Sequence, residues 1–294
     1  MSSRTPRSQS PDGGVLVVGA ATGLFLVWWG VALFTAHDQI IDWPTYKAYG
    51  DAMVHHGLVP YRDFAVEYPP GALPVFAVPS FFADYAMSFA WVMAACGVVL
   101  VAVVARIRRE AAFYVALAPV LAGSLILSRF DLWPAMLAAA ALAVLLEEHH
   151  RVGWALLGGA VAAKLWPFVL VPLALAWSVR HGRGRASLAG VGVVAAAFVP
   201  FALLAPHGLW SSLSGQASRP LQIESLGAAI FTTFSHPQVV TSHGSQNIGG
   251  HGAVTAAFGV LQVVALVALW IAFARGPRCS ANRVMSPPGD ARTW

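Results

Sequence analysis

The run from Asp42 to Pro70, DWPTYKAYGDAMVHHGLVPYRDFAVEYPP, gathers four carboxylates, two bases, two histidines and four tyrosines into a chain that is otherwise largely apolar. Its first acid opens the block Asp42-Trp43-Pro44-Thr45-Tyr46. A carboxylate at the mouth of an apolar cavity can act as a general base, because partial desolvation raises its pKa. Asp42 can equally cap a helix, since Pro44 two residues on favours a helix start. The run closes on Tyr61-Arg62-Asp63-Phe64 and Glu67-Tyr68-Pro69-Pro70. These residues suit either substrate contact or an aromatic anchor at a membrane interface. His55 and His56 are adjacent, so they do not share a helical face and make a poor metal pair.

Three further polar blocks interrupt apolar sequence. In Ser128-Arg129-Phe130-Asp131-Leu132-Trp133-Pro134 the arginine and the aspartate can pair with each other or meet a ligand. Lys164 stands alone in an apolar stretch, just ahead of Leu165-Trp166-Pro167. Its stem can snorkel to water, but an anionic ligand explains its position better. Arg219-Pro220-Leu221-Gln222-Ile223-Glu224-Ser225 is a polar knot in a segment that also holds His207, His236, His243 and His251. Ionisable groups at membrane depth are costly, so a functional pairing is the first hypothesis for each. The four histidines lack ligand spacing, and the chain has no P-loop, HExxH, GxSxG or dinucleotide fingerprint. Neither a metal nor a cofactor is expected. Cys96 and Cys279 form no CxxC pattern.

The elements that must position these residues are membrane helices. Of 294 residues 57% are hydrophobic and 11% charged, against about 25% charged in a soluble domain. The net charge of +5 does not signal nucleic acid, because the bases are scattered between apolar runs. Helix-length apolar runs cover 13–35, 86–105, 111–127, 132–146, 187–205 and 253–274. The first is too long for a signal-peptide core and reads as an uncleaved helix. Residues 71–83 contain Pro74 and Pro79 and read as re-entrant. This gives an all-α polytopic protein with about six spanning helices plus broken or re-entrant ones, and a large outer loop after the first helix.

Basic clusters at Arg4 and Arg7, Arg106 to Arg109, Arg151, Arg180 to Arg185, and Arg275 with Arg278 all belong in the cytoplasm by the positive-inside rule. That holds if 153–177 enters, turns near Lys164 and returns, with arms of about 12 residues that line an enclosed or wet cavity. A single crossing by this segment is the competing arrangement. Residues 1–12 then form a cytoplasmic tail, 13–274 one membrane module with 36–70 as its outer loop, and 275–294 a disordered tail. Lys47, Arg62, Arg129, Lys164 and Arg219 fall outside with Asp38, Asp42, Asp51, Asp63, Glu67, Asp84, Asp131 and Glu224.

Taken in order, these blocks resemble the C-type polytopic glycosyltransferases, closest to glycosyltransferase family 87, which includes the polyprenol-phosphate-mannose-dependent α-mannosyltransferases. The resemblance rests on Asp42 with Tyr46 and Tyr49, Pro60 to Phe64, Glu67 to Pro70, Arg129 to Pro134, Lys164 to Pro167 and Gln222 to Ser225. It implies transfer of a hexose, mannose favoured, from a polyprenyl-phosphate sugar to a glycolipid or glycan acceptor on the outer face of the plasma membrane. It makes Asp42 the base. Bottom-up chemistry gives Lys164, Arg129 or Arg219 the departing phosphate. Tyr46, Tyr61, Arg62, Asp63, Glu67, Tyr68, Asp131, Gln222 and Glu224 are then substrate-binding or supporting. Relatives continue through several more helices, so a shortened C-terminus is expected. An inactive relative and a transporter of lipid-linked sugar are the alternatives; the latter would also explain intramembrane charge and broken helices, but it calls for paired motifs in two halves and the sequence shows none.

Overall fold

The computed structural model describes residues 11–36, 42–217, 220–242 and 245–275. Arg219, Asp38, His243 and the tail beyond Arg275 lie outside the described residues. Helices dominate. Four are long and apolar enough to cross a membrane: Gly14–Thr35, Tyr85–Ile107, Gly184–Leu204 and Gly252–Arg275. They correspond to α1 (Pro11–Ala36), α4 (Tyr85–Ile107), α11 (Ser187–Leu204) and α14 (Gly252–Arg275). The protein is an all-α multi-pass membrane protein.

The segment after α1 is itself built. It carries α2 (Trp43–Val54), and the element expected to be re-entrant follows as a 3₁₀ turn Pro70–Ala72 and α3 (Leu73–Ala77) running into a second 3₁₀ turn, Val78–Phe81. Prolines set those starts, because their fixed φ suits a first turn and their missing N–H costs nothing there. The re-entrant element seats against α9 (His150–Ala163): a Cβ on Gly71 would lie 2.5 Å from the Ala162 carbonyl carbon.

One expected helix is not continuous. Residues 111–127 fold as α5 (Ala112–Ala116), α6 (Ala118–Ala122) and α7 (Leu125–Ser128). Pro119 supplies no amide hydrogen, and Gly123 takes a φ of 54° that closes α6. The chain then enters α8 (Leu132–Leu146) with the expected bounds.

The segment expected to turn at Lys164 does so. α9 stops where Lys164 becomes extended (φ −155°, ψ 145°), and a 3₁₀ stretch, Trp166–Leu170, leads into α10 (Val171–Arg180). Ser178, near the end of α10, accepts from Trp154 Nε1 at 3.0 Å and lies 3.2 Å from His150 Nδ1 at the start of α9. The arms are antiparallel, and single crossing by this segment is excluded.

Other contacts put the basic clusters at one end. A Cβ on Gly14 would meet the Arg109 guanidinium at 3.0 Å. Arg106 pairs with Glu147 at 2.9 Å. Arg180 donates to the carbonyl oxygens of Phe273 and Ala274. The opposite end holds α2, α12 (Pro206–Ala217), α13 (Leu226–Phe234) and an antiparallel pair, β1 (Val239–Ser242) with β2 (Ser245–Ile248). This pair was not anticipated. Buried Asn247 braces it, donating to the Ser242 carbonyl at 2.8 Å.

Small residues let the helices close up. A Cβ on Gly158 would sit 2.5 Å from the Gly190 carbonyl oxygen, so α9 and α11 meet backbone to backbone. Gly158→Leu is expected to destabilise the protein by about 1–3 kcal/mol through overpacking. Gly192→Leu, with nothing within 4 Å of its Cβ position, is the tolerated control. Thermal unfolding in detergent checks both, and equal behaviour would show that the helix contact is not tight.

Candidate active site

Asp42 occupies the N-cap position of α2, but its side chain makes no capping bond. Only its backbone carbonyl is used, by the Tyr46 N–H at 3.1 Å. The carboxylate turns instead to Arg129, whose Nε lies 3.4 Å from Oδ2. Arg129 Nη2 also donates to Glu224 Oε2 at 3.3 Å, and Gln222 Nε2 donates to the same oxygen at 3.0 Å. The β1–β2 pair holds that segment: Ile223 N–H donates to Gln246 and Ile248 N–H to Leu221. One guanidinium thus joins the start of α2, the α7–α8 connection and the segment around Glu224.

Lys164 donates to Asp131 Oδ1 at 2.6 Å and stands 4.9 Å from the Phe130 ring centroid. Of the two readings open for Arg129 and Asp131, the mutual pair is not formed: Arg129, extended between α7 and α8, takes Asp42 and Glu224, and Asp131 takes Lys164. Nor is Lys164 without a protein partner. Both cations lie where helices break, so backbone geometry rather than sequence proximity selects their partners.

An aromatic wall backs the cluster. Tyr46 stacks on Phe76 at 4.6 Å and meets Phe130 at 5.9 Å and Tyr68 at 5.8 Å. Its buried hydroxyl faces the Tyr68 hydroxyl. Arg129 Nε is buried without a hydrogen bond, despite its ionic contact with Asp42. A buried donor left unsatisfied is costly, and a ligand oxygen could satisfy it. Burial pushes the Asp42 carboxyl above the usual aspartate range; Arg129 and Lys164 oppose this, while Glu224 and Asp131 add to it.

Beside Arg129, Asp131 and Glu224 opens a cavity of about 350 Å³ whose remaining wall is apolar, including Leu125, Ile126 and Leu132. The charged rim and greasy wall suit an amphiphile with an anionic head.

Tyr61, Arg62, Asp63 and Glu67 lie away from this cluster, along a second cleft of about 390 Å³ against α12. Tyr61 has a φ of 65°, and its hydroxyl donates to the Tyr68 carbonyl at 2.6 Å. Arg62 and Asp63 are exposed and form a forked pair at 2.9 Å, while Asp63 accepts from the Val59 N–H at 2.7 Å. These bonds hold the Asp63 carboxyl down at about 2, so it is an unsuitable base. Gly208 lets α12 lie on the Tyr61 backbone, for a Cβ there would be 1.8 Å from the Tyr61 oxygen. Gln216 donates to the Glu67 carbonyl at 2.9 Å, and the Ser212 hydroxyl is buried without a partner. Sequence reading missed α12; its signal was the polar Ser211-Ser212-Leu213-Ser214-Gly215-Gln216 run directly after an apolar helix.

The model of glycosyltransferase family 87 matches residues 66–286. That region takes in Glu67, Tyr68, Arg129, Asp131, Lys164, Gln222 and Glu224, while Asp42, Tyr46 and Tyr61 to Asp63 precede it. No curated protein and no solved structure matches the chain. With residues 66–286, most of its length, matched by the family model, this multi-pass helical chain belongs to glycosyltransferase family 87.

Proposed function

We propose that this membrane glycosyltransferase moves a hexose, mannose favoured, from a polyprenyl-phosphate sugar to a glycan or glycolipid acceptor. The observation that carries this reading is the Arg129 guanidinium, held between Asp42 and Glu224 at the charged rim of an apolar-walled cavity. A lipid phosphate needs both features together, a fixed cation for the head and apolar surface for the chain.

In the transfer, an acceptor hydroxyl attacks the anomeric carbon and passes its proton to an Asp42 oxygen. The bond from that carbon to the phosphate oxygen breaks, and its electron pair leaves with the lipid phosphate. Arg129 supplies forked donors to the charge growing on the leaving group, and the phosphate competes there with Glu224. Lys164, shared with Asp131, adds positive potential. The raised pKa of Asp42 fits a proton acceptor, since it narrows the gap to the operating pH. The second cleft, with Glu67, Ser211, Ser212 and Gln216 against Tyr61 and Phe64, is polar and aromatic in the way a sugar acceptor requires.

The Asp42 end belongs outside the plasma membrane and the N-terminus in the cytoplasm, because every described basic cluster gathers at the other end. Single cysteines at Ser187 and Ser245 test this on intact cells. Ser245 should react with an impermeant thiol reagent and Ser187 should not; the opposite pattern inverts the protein.

Membranes containing the protein, given radiolabelled polyprenyl-phosphate mannose and a lipid-extract acceptor, should yield a new labelled product. Movement of intact donor across reconstituted vesicles without transfer would identify a transporter instead. Neither transfer nor movement would mark an inactive relative.

A further inference from the structure

At the end of the molecule opposite Asp42, two connections face each other across a cleft of about 500 Å³. The α8–α9 connection contributes Glu148 and His149, with Glu148 at a φ of 63°, and the first turn of α9 contributes Arg151. The α10–α11 connection contributes Arg183 and Arg185. His150 is buried at the cleft and anchored to Ser178.

Topology alone does not explain this arrangement. The positive-inside rule counts bases in loops and is indifferent to where their side chains converge. Here three guanidiniums, one from the first turn of α9 and two from the α10–α11 connection, line one concavity. Among the described residues no carboxylate comes within ion-pair distance of any of them, Glu148 included. Elsewhere at this end Arg106 pairs with Glu147 and Arg108 with Glu110, Arg109 packs beside Gly14, and Arg180 donates to the Phe273 and Ala274 carbonyls. The start of α9 adds to the imbalance. Its N-cap residue, His149, gives no side-chain hydrogen bond, and the first turn holds no acid. The free N–H groups and the helix dipole therefore contribute further positive potential. Three like charges facing one carboxylate, Glu148, leave the cleft with an excess of positive charge, and an anion that bridges the guanidiniums relieves their repulsion.

We propose that this cleft binds a phosphate mono- or diester, on the membrane face opposite the transfer site. Guanidinium forks match phosphate oxygens in pairs. The cleft lies at the ends of α8, α9, α10 and α11, the depth of a phospholipid headgroup, and basic pockets between membrane helices are suited to such heads. The inference does not depend on what the other end catalyses.

The full chain, purified in detergent, can be tested with two probes: phosphatidylglycerol against phosphatidylcholine, followed by native mass spectrometry, and inorganic phosphate as competitor. Wild type should retain phosphatidylglycerol selectively. The triple variant Arg151→Gln, Arg183→Gln, Arg185→Gln should weaken retention by roughly 10²-fold, at about fivefold per removed base. The control triple Arg106→Gln, Arg108→Gln, Arg109→Gln removes the same charge outside the cleft and should change retention little. Equal loss in both triples would reduce the effect to general electrostatics and overturn the site, as would no selectivity in wild type. Displacement by millimolar phosphate would identify the free ion as a competent source; persistence would assign the headgroup. In unmutated protein, a phosphatidylglycerol with a photoreactive head should label peptides spanning 148–152 and 182–186. Labelling confined to other segments would sink the proposal even if the triple variant does not fold.

Discussion

Asp42→Asn is expected to lower the transfer rate by roughly 10²–10⁴-fold, the usual cost of removing a general base, with folding and donor binding retained. Fold and chemistry separate cleanly at this position. The Asp42 side chain makes no capping bond, so α2 loses nothing when the carboxylate becomes an amide. Arg129 keeps its second partner, Glu224. The site is only partly buried, with 27% of the Asp42 side chain and 33% of that of Arg129 exposed, so water can solvate what is left unpaired. What disappears is the capacity to accept a proton. Glu67→Gln is the matched control from the second cleft, and Asp63→Asn removes a carboxylate already fixed by Arg62 and the Val59 N–H. Initial rates at saturating donor, beside thermal unfolding of each variant, decide the matter. If Glu67→Gln abolishes transfer and Asp42→Asn does not, the base lies in the cleft against α12. If the wild type works and neither change matters, the base lies outside the loop.

The helices that position this site were largely legible in the sequence, because each is an uninterrupted apolar run and the bilayer leaves few alternatives. α8 was bounded to the residue by Asp131 and Glu147, the charged residues on either side. The break at Lys164 was partly legible: a charge followed by Pro167 and Pro172 disfavours one continuous span, although the sequence left a single crossing open as the alternative. The division of 111–127 was less legible. It depends on Gly123 adopting a left-handed φ, which glycine permits but composition does not announce. Within the site, residue types were readable and pairings were not. Arg129 and Asp131 are two apart in sequence, yet one faces Asp42 and Glu224 while the other faces Lys164. Those partners come from elements 33 to 95 positions away. The short β1–β2 pair, which secures the Glu224 segment, reads as loop because Val239 to Ser242 lacks an alternating apolar face.

Arg129→Gln should cost roughly 10²–10³-fold in kcat, the scale of losing one preorganised donor to a developing negative charge. Arg129→Lys should recover part of it, as a lysine restores the charge without the fork. A loss of rate alone would not separate a role in catalysis from damage to the fold, because the change also leaves Asp42 and Glu224 without their cation. The pH profile does separate them. Burial raises the Asp42 pKa, Glu224 and Asp131 push the same way, and the Arg129 charge is the largest influence opposing them. Removing it leaves the raising effects in force, so the carboxyl holds its proton to a higher pH. A general base works deprotonated, and the acidic limb of the rate profile should therefore move upward in Arg129→Gln and return most of the way in Arg129→Lys. Lys164→Met should shift the limb in the same direction by less, because Lys164 opposes the rise more weakly and is already engaged by Asp131. A merely structural arginine predicts a uniformly lower rate with an unmoved limb. Full activity in Arg129→Gln would remove the phosphate role altogether and leave Lys164 as the cation to examine.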